Sequence, residues 1–256
     1  MNKLVVGLIL ITIAFGSSSA TAQQNVSTDI LTMGDSLTAG LAGNRFGVIR
    51  CAALGGIIVA ADNQRSCRGD GRLNVGVWQP ALRGLTGSNT FNFGNSGEIT
   101  TEMVNRFQAA LASRPSKYVL ILGGTNDVIV NRPRAETIAN IRRMIDATRA
   151  ANRIPIVGTI PPLLLGRFAS INSRVVELNA MINALTDVEV ADHYAVLVTN
   201  WGIHNSGDTI HLGPSGNQLV AQGWFEAIER INVPDEPEVE PADSAVVPTL
   251  SLLLLE

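Results

Sequence analysis

Ser36 follows Gly34-Asp35 and precedes Leu37-Thr38. A serine hydroxyl becomes a useful nucleophile when a neighbouring base takes its proton. The chain holds three histidines, His193, His204 and His211, so an imidazole base must be one of them. Asp208 stands three residues before His211 in Asp208-Thr209-Ile210-His211. That spacing lets a carboxylate hold Nδ1–H and leaves Nε2 to face a nucleophile. Asp192 is directly adjacent to His193, which does not aim the two side chains together, and no acidic residue closely precedes His204. His211 is the candidate base.

Two further blocks offer donors for developing negative charge. Gly97, in Gly94-Asn95-Ser96-Gly97-Glu98, presents a backbone N–H with no side chain in the way. Asn126, in Gly123-Gly124-Thr125-Asn126-Asp127, carries an amide that can reach an oxyanion. Taken singly, each block also reads as an ordinary turn. The serine block is a common Gly-Asp-Ser turn, Ser96 a helix cap, Asn126-Asp127 an Asx-turn, and His211 a loop residue before a helix opening at Pro214.

The elements around these blocks decide between the two readings. Apolar runs predict strands at Asp29–Met33, Thr90–Phe93, Tyr118–Leu122, Ile154–Thr159 and Val188–Ala191. Helical spacing predicts helices over Ile99–Ala112, Ala135–Ala151, Ser170–Leu185 and Gly216–Ile231. Strands alternating with helices imply βαβ units and a parallel sheet covered on both faces. Ligands of such sheets sit at the carboxyl ends of the strands. The Gly-, Asn-, Asp- and Ser-rich blocks fall at those ends, which favours chemistry over four coincidental turns.

The four blocks, Gly34-Asp35-Ser36-Leu37, Asn95-Ser96-Gly97, Gly124-Thr125-Asn126-Asp127 and Asp208-Thr209-Ile210-His211, resemble in order and type those of the SGNH subgroup of the GDSL hydrolases. The likeness is to lipases and acylhydrolases, including secreted bacterial esterases of the thioesterase I/lysophospholipase type. It implies a three-layer, flavodoxin-like α/β/α sandwich on a five-stranded parallel sheet. It implies Ser36 as nucleophile, His211 as general base and acid, and Asp208 as its orienter. The implied oxyanion hole comprises the Ser36 N–H, the Gly97 N–H and the Asn126 side chain. Two departures stand out: the stretch from Leu41 to Ser88 is longer than in compact members, and Leu212 follows His211 where many members have proline. The long stretch reshapes the mouth of the site. The Gly-x-Ser-x-Gly elbow of the α/β-hydrolases is absent.

Composition excludes other classes. Charged residues make up 16% of the 256 residues and apolar residues 46%, so the chain can bury a core. The formal charge is −3, with no basic stripe, which argues against nucleic acid as a partner. No cofactor or metal is implied, and two cysteines without a Cys-x-x-Cys motif cannot build a structural zinc site.

Residues 1–22 read as a cleavable signal peptide, with Lys3, a short apolar run and an Ala20-Thr21-Ala22 site. That run is too short to span about 30 Å of hydrocarbon, so no integral membrane span is expected and the protein is expected to be secreted or periplasmic. Export makes a Cys51–Cys67 disulfide the expectation. Residues 23–233 form the domain, and 234–256 an acidic, proline-rich linker with a short apolar tail. The prolines of Ile160-Pro161-Pro162-Leu163-Leu164-Leu165 hold this run out of a helix beside the site. Leu163, Leu164 and Leu165 are therefore candidates for a substrate-binding acyl wall, the alternative being core packing. Arg68-Gly69-Asp70 matches an adhesion tripeptide that recurs by chance.

The resulting expectation is an exported serine esterase acting on short to medium acyl esters or lysophospholipids. A carbohydrate O-deacetylase on the same fold, an acyltransferase and a non-catalytic binding module are the competing readings. The oligomeric state is open.

Overall fold

Alternation along two central strands explains how the sheet is covered. In β1 (Ile30–Gly34), Leu31 and Met33 point to one face and Ile30 to the other. In the run Tyr118–Leu122, Val119 and Ile121 share the first face, and Tyr118, Leu120 and Leu122 the second. Successive strand side chains point to opposite faces, so a strand apolar at every position must be packed on both. Both strands are buried throughout.

The computed structural model describes residues 28–43, 49–51, 68, 70–74 and 76–232. The expected signal peptide and the 234–256 tail lie outside the described residues, as does Cys67. Cys51 is described only as backbone.

After β1 the chain forms α1 (Ser36–Ala39), then an antiparallel pair, β2 (Leu41–Gly43) and β3 (Ile49–Cys51). β4 (Arg72–Leu73), α2 (Gln79–Thr86), β5 (Thr90–Gly94), α3 (Thr100–Ser113), β6 (Tyr118–Leu122), α4 (Thr125–Ile129), α5 (Arg134–Ala150) and β7 (Ile154–Gly158) follow. After a 3₁₀ turn over Gly166–Ile171 come α6 (Asn172–Asn183), β8 (Glu189–Ala191), α7 (His193–Val198), α8 (Trp201–His204) and α9 (Pro214–Asn232).

The main sheet runs β4-β5-β1-β6-β7-β8. The five expected strands are all parallel. The sheet nevertheless has six strands, because β4 pairs antiparallel with β5 at the edge. A two-residue strand is too short to show periodicity in sequence. Hydrogen bonds from Gly71 N to Asn92 O and from Asn74 N to Thr90 O, both 2.7 Å, hold it there.

One face packs Met103 and Phe107 of α3, Ile141 and Ile145 of α5, and Leu178 and Ile182 of α6. The other packs Leu82 of α2, Trp201 of α8, and Val220, Trp224 and Ile228 of α9. The result is the expected three-layer α/β/α arrangement. From β1 the chain moves to β5 on one side and then to β6 on the other. This places a topological switch at the carboxyl end of β1, where open α/β sheets bind ligands.

Candidate active site

Register brings three of the four blocks side by side. Gly34 is paired with Gly94 of β5 and with Leu122 of β6, so the segments leaving those strands start at one level. Asn95 N donates to Gly34 O at 2.9 Å. Ser36 opens α1 directly above this end of the sheet. Asp35 caps that short helix, its Oδ1 accepting from Leu37 N at 2.9 Å. A Cβ at Gly94 would lie 2.0 Å from Ala39 N, so only glycine lets α1 sit this close to β5.

Residues from the long Leu41–Ser88 stretch hold α1 from the other side. Trp78 Nε1 donates to Leu37 O at 2.9 Å, and Gln79 Nε2 donates to Thr38 O at 2.8 Å. Asn92 Nδ2 donates to Thr38 O as well, at 2.9 Å. The last carbonyls of a helix have no partner within it; here two are taken by buried side chains. Trp78, Gln79 and Asn92 were not among the sequence candidates. The one signal was Pro80 beside Gln79, a helix-start residue.

The fourth block arrives from the loop before α9. His211 is 2% exposed. Its Nε2 lies 2.8 Å from Ser36 Oγ, and its Nδ1 lies 2.7 Å from Asp208 Oδ2. Asp208 Oδ1 accepts from His211 N at 2.8 Å and from Ile210 N at 3.1 Å. Burial disfavours the charge of Asp208, but the His211 ring and these two N–H groups outweigh it, holding the carboxyl well below its usual range. Thr209, inside this turn, adopts φ 74°, a left-handed conformation costly for a β-branched residue.

The other histidines do not reach Ser36. His204 Nδ1 is 3.1 Å from Ser215 Oγ. His193 is fully buried against Trp224, and burial lowers its pKa to about 3.

The donor blocks lie on the remaining sides. Gly97 takes φ 79° in the turn between β5 and α3, a conformation that favours glycine. Asn126 opens the second position of α4, and its Nδ2 donates to Glu98 O at 2.8 Å. The amide keeps a second hydrogen for another acceptor. Asp127 turns the other way and binds α3. Its Oδ2 accepts from Thr100 N at 2.9 Å and its Oδ1 from Thr100 Oγ1 at 2.7 Å. It thereby caps α3, and the alternative reading of Ser96 as the cap of this helix does not hold. Ile99 immediately precedes α3, and the Ser96 hydroxyl is buried without a hydrogen-bond partner among the described residues.

Asp35 is fully buried, and its pKa is pushed up to about 7. Desolvation is the main cause, and the Asp127 and Glu98 charges add to it; the Leu37 N–H and the His211 charge oppose it.

The Ile160–Leu165 run lies outside any helix, as expected, and asparagines of α6 satisfy its backbone. Asn179 Oδ1 accepts from Ile160 N and its Nδ2 donates to Ile160 O, both at 2.9 Å, and Asn172 Oδ1 accepts from Leu163 N at 2.9 Å. Leu163 is 1% exposed within the core, whereas Leu164 and Leu165 are 37% and 36% exposed. A Cβ at Gly166 would lie 3.1 Å from Thr209 Cγ2, so this run borders the loop that carries His211. An acyl wall here would rest on Leu164 and Leu165, with Leu163 already committed to the core.

Of the adhesion-like tripeptide, Arg68 Nε donates to Asn95 Oδ1 at 3.1 Å, and Gly69 lies outside the described residues. Among the described residues, no helix is long and apolar enough to cross a membrane.

Solved structures share this fold. A member of the lipolytic protein G-D-S-L family from Veillonella parvula is 18% identical, with a TM-score of 0.57, covering 79% of this chain and 98% of its own. A GDSL-like lipase from Bacteroides thetaiotaomicron is 18% identical, with a TM-score of 0.57, covering 80% and 89%. An acetylxylan esterase from Geobacillus stearothermophilus is 16% identical, with a TM-score of 0.54, covering 79% and 95%. A comparison with curated proteins finds no match. The model of the GDSL-like lipase/acylhydrolase family matches residues 32–219, which include all four blocks. With that match over most of the chain, the protein belongs to the GDSL-like lipase/acylhydrolase family, a family of ester-bond hydrolases.

Proposed function

We propose that the chain is an exported serine esterase. The observation that carries this reading is the unbroken line from Asp208 through His211 to Ser36, with contacts of 2.7 and 2.8 Å. The second is within reach for direct proton transfer, and the first is a hydrogen bond that orients the imidazole. Ser36 Oγ attacks the ester carbonyl carbon while His211 Nε2 takes the hydroxyl proton. The negative charge on the former carbonyl oxygen is met by the Ser36 N–H, the Gly97 N–H and the free Asn126 Nδ2 hydrogen. His211 then gives its proton to the departing alcohol, leaving an acyl-serine. Water attacks that ester with His211 again as base, the acid departs, and Ser36 regains its proton. Asp208 keeps the imidazole in the required tautomer and stabilises its charged form.

The substrate proposed is a short to medium acyl ester or a lysophospholipid. Exposed Leu164 and Leu165 beside the His211 loop support it. Carbohydrate O-deacetylation is the second reading, supported by the likeness to an acetylxylan esterase.

A chain-length series of p-nitrophenyl esters, run beside acetylated xylan and a lysophospholipid, tests both. Replacing Leu164 or Leu165 by Ser is expected to weaken octanoate relative to acetate by about 1–3 kcal/mol in kcat/KM. Equal losses for the two esters assign these leucines to the scaffold. Product analysis with and without an alcohol acceptor separates hydrolysis from acyl transfer. If the wild type takes no fluorophosphonate at Ser36 and cleaves no ester of the panel, the binding-module reading replaces this one.

A further inference from the structure

The proposed hole needs donors from two chain segments, the β5–α3 turn and α4. One ion pair touches both the turn and the end of the nucleophile strand. Glu98 is next to Gly97, and its side chain is 7% exposed. Its carboxylate takes Arg106 Nε at 2.8 Å on both oxygens and Arg106 Nη2 at 2.5 Å on Oε2. Asn95 Nδ2 donates to Oε1 at 2.7 Å. The same Arg106 Nη2 donates to Gly34 O at 3.2 Å, two residues before Ser36. On the backbone side, Glu98 O receives the Asn126 amide at 2.8 Å.

Each of these contacts fixes something the reaction needs. The carboxylate holds Arg106 and Asn95 Nδ2 together, which fixes both ends of the Asn95–Glu98 turn and so the Ser96–Gly97 peptide between them, whose N–H is that of Gly97. The Glu98 carbonyl occupies one hydrogen of Asn126 and so orients the other. The Gly34 contact ties this frame to the segment that carries Ser36. A guanidinium suits this place because its planar fork makes several directed bonds at once. Arg106 sits in the second turn of α3, whose first N–H is capped by Asp127 from the α4 segment. The helix that delivers Arg106 is thus itself locked to the Asn126 block.

We propose that Glu98 and Arg106 are positioning residues of the oxyanion hole, acting through Gly97 and Asn126 without touching the substrate. This rests on the esterase reading above. It also gives this largely buried ion pair a role beyond stability, since desolvation offsets much of what such a pair gains.

The test compares Arg106→Met, the charge-neutral double variant Arg106→Met/Glu98→Gln, and both again in an Asn126→Ala background. The double variant leaves no unpaired buried carboxylate and guards against misfolding of the single one. Thermal melts establish folding. Both variants are expected to lower kcat for p-nitrophenyl acetate by about 10- to 100-fold with little change in KM, as small misplacements do. Labelling of Ser36 by a fluorophosphonate should slow in parallel. In the Asn126→Ala background the same changes should cost less, because one of the two donors they orient is already gone. A folded double variant with wild-type kcat overturns the proposal, as does a full, additive loss in the Asn126→Ala background. A wild-type protein that takes no label at Ser36 overturns the esterase reading and this proposal together. Rapid labelling of the wild type beside equally rapid labelling of a folded double variant overturns this proposal alone.

Discussion

Trp78 donates its indole N–H to the carbonyl of Leu37 at 2.9 Å, joining residues 41 positions apart. Both are buried, and the bond holds the four-residue helix that begins with Ser36. A helix this short has no stability of its own, so its position depends on such tethers. Trp78→Phe removes the donor, leaves the Leu37 carbonyl unsatisfied and opens a small void. We expect a loss of about 2–4 kcal/mol in unfolding free energy, the sum of an unpaired buried acceptor and lost apolar volume. Urea denaturation measures it. A loss under about 0.5 kcal/mol, the range of ordinary surface substitutions, shows that the tether is dispensable.

This tether also marks where the sequence was hard to read. The five parallel strands were legible because each is a short apolar run closed by a turn residue, as in Tyr118–Leu122 before Gly123. The site blocks were legible because their residues lie close together in sequence. Asp208 and His211 form their contact within one turn. α2 was not legible: Gln79–Thr86 is only eight residues long and carries Gly84 in its interior, a poor helix residue, so Pro80 at its start was its one signal. Packing of fully buried Trp78 and Leu82 onto α9 supplies what local propensity lacks. The Asp127 cap on Thr100 and the Arg106 contact with Gly34 were hidden for another reason, since they join segments 27 and 72 residues apart. Leu163 shows the same limit, because an apolar residue at a strand end reads alike whether it lines a cleft or fills the core.

Asp208→Asn keeps the size of the side chain but offers His211 Nδ1 an amide in place of a carboxylate. The imidazole then loses both the partner that fixes its tautomer and the charge that stabilises its protonated form. A kcat lower by about 10³–10⁴ is expected, with KM nearly unchanged. Ser36→Ala is expected to abolish fluorophosphonate labelling altogether, whereas Asp208→Asn still labels, slowly. Wild-type turnover by folded Asp208→Asn would remove Asp208 from the mechanism.

Asn126→Ala deletes the proposed oxyanion donor and the bond to Glu98 O. Donors aimed at the developing charge act on the transition state more than on bound substrate. The expected effect is a kcat lower by about 10²–10³, with little change in KM. Ser36 should still take a fluorophosphonate, since the Ser36–His211–Asp208 line does not pass through Asn126. Circular dichroism checks that the turn after β6 has kept its fold. Unchanged kcat in a folded variant assigns Asn126 to the turn alone.

His193 and Asp35 are two fully buried titratable groups with opposite effects on stability. The His193 ring meets Trp224 edge to face at 4.5 Å and has no hydrogen-bond partner among the described residues. Desolvation lowers its pKa from 6.5 to about 3, against a smaller opposing pull from Asp192. Between those values the unfolded chain binds a proton that the folded one does not, so His193 makes stability fall as pH falls below 6.5. Asp35 is the reverse, its pKa raised from 3.8 to about 7 by desolvation. Between those values the folded chain holds a proton that the unfolded one has lost, so Asp35 makes stability fall as pH rises above 3.8. From about pH 4 to 6.5 the two slopes oppose each other, each near 1.4 kcal/mol per pH unit at most. Removing one should expose the other. His193→Leu is expected to become less stable with rising pH in this window. Asp35→Asn, which keeps an acceptor for Leu37 N, should become more stable with rising pH, and more steeply than the wild type. Urea midpoints at pH 4.5, 5.5 and 6.5 for the three proteins decide the matter. Parallel pH profiles for all three would mean that neither buried group titrates out of step with the unfolded chain.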